Sequence, residues 1–226
     1  MVLKIGHRGA AGYEPENTLR SFKAAASLGA DMVELDVHLC ASSEIVVIHD
    51  ETVNRTTNGS GAVANLTLSE LKALDAGIGE KIPTLEEVFS TMRGRVGINI
   101  ELKGKGTPDA VHDFLTRAFK EGEWRLDDVL VTSFDWRMLG RMRELSEETH
   151  LGPLTYEDME GALTTAVELG VFSVNPHHGR INATYIKRAH EAGLRVYPWT
   201  VNIPDDIQRV SRLDVDGIIS DFPDRI

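Results

Sequence analysis

Cysteine is almost absent from this chain: Cys40 is the only one in 226 residues. An intrachain disulfide framework is therefore excluded, and a lone thiol suits a reducing compartment. Aromatic residues are scarce, at 6%. No apolar run approaches the roughly 18 residues that a membrane-spanning helix needs. The first apolar stretch, Met1-Val2-Leu3-Lys4-Ile5, gives way at once to His7 and Arg8 and is too short for a secretory signal. A cytoplasmic protein without a membrane span is expected. Bases are in deficit, with 24 Lys and Arg against 35 Asp and Glu and a formal net charge of −11. A field of that sign repels nucleic acid and anionic lipid surfaces, and a small anionic ligand would need local cations or a metal. What remains is ordinary globular composition, 42% hydrophobic and 26% charged. Self-association into a homo-oligomer is left open.

Short apolar runs alternate with helical patterns along the whole length. Strands are expected at 2–5, 32–37, 45–48, 96–102, 129–132, 151–154, 172–174, 195–199 and 217–220, several of them rich in Val and Ile, as strands buried on both faces require. Thr18 or Asn17 can cap a helix that Gly29 ends, and Thr67 with Glu70 and Thr84 with Glu87 have the spacing of capping boxes. Further helices are expected at 109–121, 136–145, 158–169, 184–192 and 205–213. This alternation predicts an α/β fold with a parallel sheet. Segment 45–48 follows 32–37 too closely for a parallel return, so the two should form an antiparallel hairpin turning near Ala41-Ser42-Ser43, with His49 set opposite Glu34. The other eight strands match a (β/α)8 TIM barrel in one domain spanning 1–226, with 50–95 as an insertion over the barrel mouth.

In such a barrel the chemistry gathers at the C-terminal ends of the strands. Those ends read Gly6-His7-Arg8-Gly9, Glu34-Leu35-Asp36, Glu101-Leu102-Lys103, Trp199-Thr200-Val201-Asn202 and Asp221-Phe222-Pro223, with His49-Asp50 closing the hairpin arm. Glu34 and Asp36 stand two apart and leave one face of their strand. Joined by Glu101, they suit a hard divalent cation such as Mg²⁺ or Ca²⁺. Pairing with Arg8 and Lys103 would serve the same carboxylates without a metal. His7 and His49 are the candidates for acid–base work, because histidine titrates near neutral pH. The glycines flanking His7-Arg8 leave room for a ligand to approach the backbone. Arg8 and Lys103 can bind a phosphate. His38, His112, His150, His178 and His190 read as structural or exposed.

Several ordered segments carry a family resemblance. They begin with His7-Arg8-Gly9, Pro15-Glu16-Asn17-Thr18, Glu34-Leu35-Asp36-Val37, His49-Asp50 and Arg55-Thr56-Thr57-Asn58-Gly59. They continue through Ile82-Pro83-Thr84-Leu85-Glu86-Glu87, Asn99-Ile100-Glu101-Leu102-Lys103, Trp199-Thr200-Val201-Asn202 and Gly217-Ile218-Ile219-Ser220-Asp221. Together they resemble the glycerophosphodiester phosphodiesterases over essentially the whole chain. The resemblance implies metal-dependent hydrolysis of glycerophosphodiesters to glycerol 3-phosphate and an alcohol. It implies His7 and His49 as acid and base, Glu34, Asp36 and Glu101 as metal ligands, and Arg8 and Lys103 on the phosphate. Glu16 and Asn17 would support the rim, and Trp199 would wall the glycerol side of the pocket. The nucleophile is water or the substrate's own 2-hydroxyl. The competing expectations are a phospholipase D-like or phosphatidylinositol-specific enzyme on a similar barrel, and an inactive barrel that binds phosphorylated ligands.

Overall fold

A computed structural model describes residues 2–226. The strands are β1 (Leu3–Gly6), β2 (Met32–Leu39), β3 (Ile45–Val47), β4 (Gly97–Leu102) and β5 (Val129–Ser133). They continue as β6 (Leu151–Thr155), β7 (Ser173–Pro176), β8 (Arg195–Val196) and β9 (Gly217–Ser220). Their order round the sheet is β8-β7-β6-β5-β4-β2-β1-β9, with β3 paired antiparallel to β2 outside that path. Bonds from Asp216 N to Val196 O (3.1 Å), Ile219 N to Pro198 O (3.0 Å) and Val201 N to Ile219 O (2.9 Å) complete the ring. Pro198 has no N–H to give, so β8 stops short of the expected residue 199. The expected eightfold barrel is the fold observed.

The helices are α1 (Leu19–Ser27), α2 (Leu68–Ala73), α3 (Leu85–Met92), α4 (Thr107–Lys120), α5 (Trp136–Leu145), α6 (Met159–Glu168), α7 (Ala183–Glu191) and α8 (Pro204–Ser211). Thr67–Glu70 and Thr84–Glu87 form the two expected capping boxes. Thr18, not Asn17, caps α1 by accepting from Ser21 N. Helix α4 starts two residues before the expected 109 because Pro108 fits the first turn, where its missing N–H costs nothing.

Strand pleating sorts the side chains. Val33, Leu35 and Val37 on β2 and Ile98, Ile100 and Leu102 on β4 face the main core under the helices. The alternate residues point into the barrel. There Ile5, Leu130, Tyr197 and Ile219 form a second, smaller apolar cluster, packed by Met32 and Trp199. Inward positions nearer the strand ends carry Glu34, Asp36, Asn99, Glu101 and Thr132, all buried. The segment between β3 and α3 has an apolar cluster of its own, in which Val53, Val63, Leu71, Ala76 and Ile82 cover Val46 and Ile48.

The hairpin register differs by one residue from expectation. Val37 pairs with Val47, His38 with Val46 and Leu39 with Ile45, and Ile48 N bonds to Asp36 O, so the arm is centred on Ser42. His49 therefore does not lie opposite Glu34. The connecting residues are the expected Ala41-Ser42-Ser43, with Ser43 at φ 75° in the left-handed region, and a centre on Ser42 rather than between Ala41 and Ser42 makes the one-residue shift. Strand β3 ends at Val47, and His49 reaches the barrel mouth from the loop beyond it. No helix among the described residues is long and apolar enough to cross a membrane.

Candidate active site

The residues singled out at the strand ends converge on one pocket of about 480 Å³, lined by His7, Arg8, Glu34, His49, Glu101, Lys103 and Trp199. The register explains the acidic cluster. Asp36 on β2 lies directly across from Glu101 on β4, and Glu34 across from Asn99. Glu34, Asp36 and Glu101 each offer a carboxylate oxygen within 4.8 Å of the others, and all three are buried. Burial and the charge of Asp36 raise Glu34 and Glu101 above the ordinary carboxylate range. Burial would also raise Asp36, but the adjacent Arg8 and Lys103 outweigh it and hold this carboxyl below its usual value. Asp36 Oδ1 is buried without a hydrogen-bond partner. An unpaired buried acceptor inside an all-oxygen cluster fits a hard divalent cation.

The cations also pair as the alternative anticipated. Arg8 Nε lies 3.3 Å from Asp36 Oδ2, and Lys103 Nζ lies 3.6 Å from Asp36 Oδ1 and 3.0 Å from Glu101 Oε1. Of the three carboxyls only Asp36 is held below its usual value by these two cations, while Glu34 and Glu101 stay raised. Arg8 Nε is buried beside Asp36 without a hydrogen bond of its own. Glu16 and Asn17 stand behind these groups. Glu16 Oε1 accepts from Arg8 Nη1 at 2.8 Å, and Asn17 Nδ2 donates to Asp36 Oδ2 at 2.9 Å.

The glycines flanking His7-Arg8 do a different job from the one expected. A Cβ on Gly9 would come within 2.6 Å of the Ser21 backbone, and one on Gly6 within 2.5 Å of Gly9 O. They let the turn press against α1, so the room belongs to protein and not to a ligand. Arg8 sits in the left-handed region at φ 50°, held there by its N–H bond to Glu34 Oε2 and its carbonyl bond from Ser21 Oγ.

Both histidines are held from behind by a carboxylate. His7 Nδ1 meets Asp221 Oδ1 at 2.6 Å, and His49 Nδ1 meets Asp50 Oδ1 at 2.6 Å. A carboxylate on Nδ1 leaves the other ring nitrogen for the pocket. Their surroundings differ. Burial would lower His7, but the Asp221 bond and the Glu34 charge raise it above the usual histidine value. Burial lowers His49, aided by Arg8 and Lys103 against the pull of Asp36 and Asp50. Lys103 Nζ lies 3.0 Å from His49 Nε2. An ammonium can only donate, so this nitrogen accepts and His49 is neutral.

Some pocket groups were not singled out in the sequence. Asp221 is fixed by Asn202 Nδ2 at 2.6 Å, and it had been noted only as a strand end. Asn99, buried on the pocket floor, accepts from Thr132 Oγ1 through its oxygen, which leaves Nδ2 without a partner. The far wall is aromatic: Phe134 and Trp199 meet edge to face at 5.2 Å, with His177 and Tyr156 beyond. Partners this far apart in sequence carry no local signal. His38, read as structural, is buried with Nε2 3.1 Å from His49 O.

Comparison with known proteins gives the family. The model of the glycerophosphoryl diester phosphodiesterase family matches residues 7–225. The chain belongs to that family. It is therefore a phosphoric diester hydrolase by family. As a phosphodiesterase it is similar to the glycerophosphodiester phosphodiesterase of Caldanaerobacter subterraneus subsp. tengcongensis, at 37% identity over 100% of this chain and 96% of the relative. It shares 35% identity with the enzyme of the same name from Bacillus altitudinis, over 100% of this chain and 96% of that one. Its fold superposes on an Oleispira antarctica phosphodiesterase solved with the product sn-glycerol-3-phosphate, with a TM-score of 0.90 at 29% identity, covering 98% of this chain and 94% of that one.

Proposed function

We propose that this phosphodiesterase hydrolyses glycerophosphodiesters to glycerol 3-phosphate and an alcohol, with a divalent cation at Glu34, Asp36 and Glu101 and with His7 and His49 moving the protons. The observation that carries the reading is the convergence of three buried carboxylates and two carboxylate-backed histidines on one pocket. The all-oxygen donor set suits Mg²⁺ or Ca²⁺. When bound, such an ion neutralises charge on the phosphoryl oxygens and polarises phosphorus.

The rest is done by side chains of this chain. Arg8 and Lys103 bind the phosphate oxygens and stabilise the charge that builds on them. His49 accepts at Nε2 the proton of the nucleophile, either water or the glycerol 2-hydroxyl, because it stands neutral with Nδ1–H given to Asp50. His7, whose proton is favoured by Asp221 and Glu34, protonates the departing alkoxide. Glu16 and Asn17 hold Arg8 and Asp36 in place, and Trp199 walls the glycerol side. The whole chain acts as one catalytic unit, with 50–95 contributing to the mouth. A buried lone thiol suits a cytoplasmic setting.

The test is a panel of glycerophosphodiesters assayed for released glycerol 3-phosphate, with and without a chelator. Release that the chelator abolishes supports the reading. Exclusive cleavage of sphingomyelin or phosphatidylinositol would replace it with the lipid-directed alternative. Thermal stabilisation by glycerol 3-phosphate with no alcohol released from any substrate would replace it with an inactive binder.

A further inference from the structure

Arg55 comes from the segment after β3, does not line the pocket, and has a half-exposed side chain. Its guanidinium nevertheless makes four hydrogen bonds, two to each of two carboxylates. Nε donates to Asp50 Oδ2 at 2.7 Å and Nη2 to Asp50 Oδ1 at 3.0 Å. Nη1 donates to Glu16 Oε2 and Nη2 to Glu16 Oε1, both at 2.8 Å. Each of those carboxylates also reaches into the site. Asp50 Oδ1 is the atom against His49 Nδ1, and Glu16 Oε1 is the atom that accepts from Arg8 Nη1. A chain of alternating charge therefore runs from His49 through Asp50, Arg55, Glu16 and Arg8 to Asp36.

We propose that Arg55 is a positioning residue that sets His49 and Arg8 together, by cross-linking the two carboxylates that orient them. The inference rests on the roles given to His49 and Arg8 above. Asp50 follows His49 directly in sequence and is itself partly exposed, so nothing else shown holds its carboxylate against the imidazole. With the fork in place, Asp50 Oδ1 accepts Nδ1–H and Nε2 keeps its lone pair toward the pocket. Without it, Asp50 turns to water, and once Lys103 leaves Nε2 for a phosphate both tautomers of His49 are populated. Lysine would keep the charge but lose the planar fork that bonds both carboxylates at once. A bidentate network of this kind can also add stability, so the test has to read the His49 ring as well as the melting temperature. The sequence offers Arg55 only as part of Arg55-Thr56-Thr57-Asn58-Gly59, with no role attached.

The experiment compares wild type with Arg55→Lys and Arg55→Gln in the full chain. Steady-state hydrolysis of glycerophosphocholine gives kcat and KM, and nitrogen-15 NMR of the His49 ring gives the tautomer. Both variants should lose kcat by about ten- to a hundredfold, the usual cost of removing a group that orients a catalytic one. With glycerol 3-phosphate bound and Lys103 drawn to it, the His49 ring should change from Nδ1–H alone to a mixture. Should Arg55→Gln fail to fold, Arg55→Lys carries the test. The proposal is overturned if the variants only lose melting temperature while the His49 tautomer stays pure, or if the tautomer changes and kcat does not. If wild type itself proves inactive on glycerophosphodiesters, a tautomer change in the variants still upholds the positioning role and the failure lies with the proposed reaction.

Discussion

The barrel mouth has two unlike halves. Strands β1, β2 and β4, with the loop after β3, supply His7, Arg8, Glu34, Asp36, His49, Glu101 and Lys103. These side chains are braced by hydrogen bonds and ion pairs to one another, in part through turns with a left-handed residue such as Arg8 or Asn17. The chain after β5 to β8 supplies Phe134, Tyr156, His177 and Trp199, which meet mainly by ring contacts. Phe134 and Tyr156 are exposed. Charge chemistry demands groups held to fractions of an ångström, and so it sits on strand ends and cross-braced turns. A wall that supplies only shape can sit on loops, where it changes cheaply. Changes to the first half should therefore lower kcat, and changes to the second should mainly raise KM.

The largest effect should come from the carboxylate cluster. Glu34→Gln or Glu101→Gln should lower metal affinity and kcat/KM together, by on the order of 10³-fold, since an ion at phosphorus contributes several kcal/mol. Calorimetry with Mg²⁺ and Ca²⁺ beside the activity assay checks this. Full turnover after exhaustive chelation would remove the cluster from the chemistry and leave Arg8 and Lys103 as its sole partners.

Next come the histidines. His7→Ala and His49→Ala should each lower kcat about 10²- to 10⁴-fold with metal affinity little changed. A nitrophenyl diester needs no proton on its leaving group. It should restore much of the rate to His7→Ala and none to His49→Ala, and the reverse pattern would exchange their roles.

How much of this was legible in the sequence differs between the halves in the same way. Strand β2 announced itself by Val33, Leu35 and Val37 alternating with Glu34 and Asp36, and that single pattern gave both the buried face and the acidic pair. Capping boxes at Thr67 and Thr84 were local and could be read directly. The hairpin register was not, because Ala41-Ser42-Ser43 holds no Asn-Gly or Gly signal that fixes the centre of its turn to the residue. Asp221 meets His7 across 214 residues of chain, and only tertiary closure of the barrel brings them together. On the aromatic side Trp199 could be named from its strand end. Phe134, Tyr156 and His177 lie on loops with no spacing to mark them.

A smaller effect tests the back of the charged half. Asp221→Asn keeps the shape but removes the charge that favours the His7 proton. The His7 pKa should fall. If His7 must be protonated to act, its function is lost as pH rises through that value. The basic limb of the kcat profile should therefore move to lower pH, with kcat at its maximum reduced about ten- to a hundredfold. An unmoved limb would mean that His7 does not need its proton.

The smallest effect is expected on the aromatic wall, and it tests the contrast most directly. Trp199 packs on Phe134 and ties its indole N–H to Asn175 O at 2.8 Å, so its ring is fixed. Trp199→Phe removes the hydrogen bond but keeps a flat apolar surface, and Phe134→Leu keeps bulk without the edge-to-face contact. Such a wall contributes only through area, and a modest area lost corresponds to about 1 kcal/mol, or roughly fivefold in KM. Both variants should therefore raise KM several-fold and leave kcat within about twofold, because uniform binding is lost and transition-state contacts are not. Glycerophosphodiesters with different alcohols sharpen the result. If Trp199 walls the glycerol, its variant should raise KM equally for every alcohol. Should the penalty instead vary with the alcohol, Trp199 lies on the leaving-group side. Should kcat fall as steeply as it does in His49→Ala, the division of the mouth into a chemical half and a shaping half is wrong.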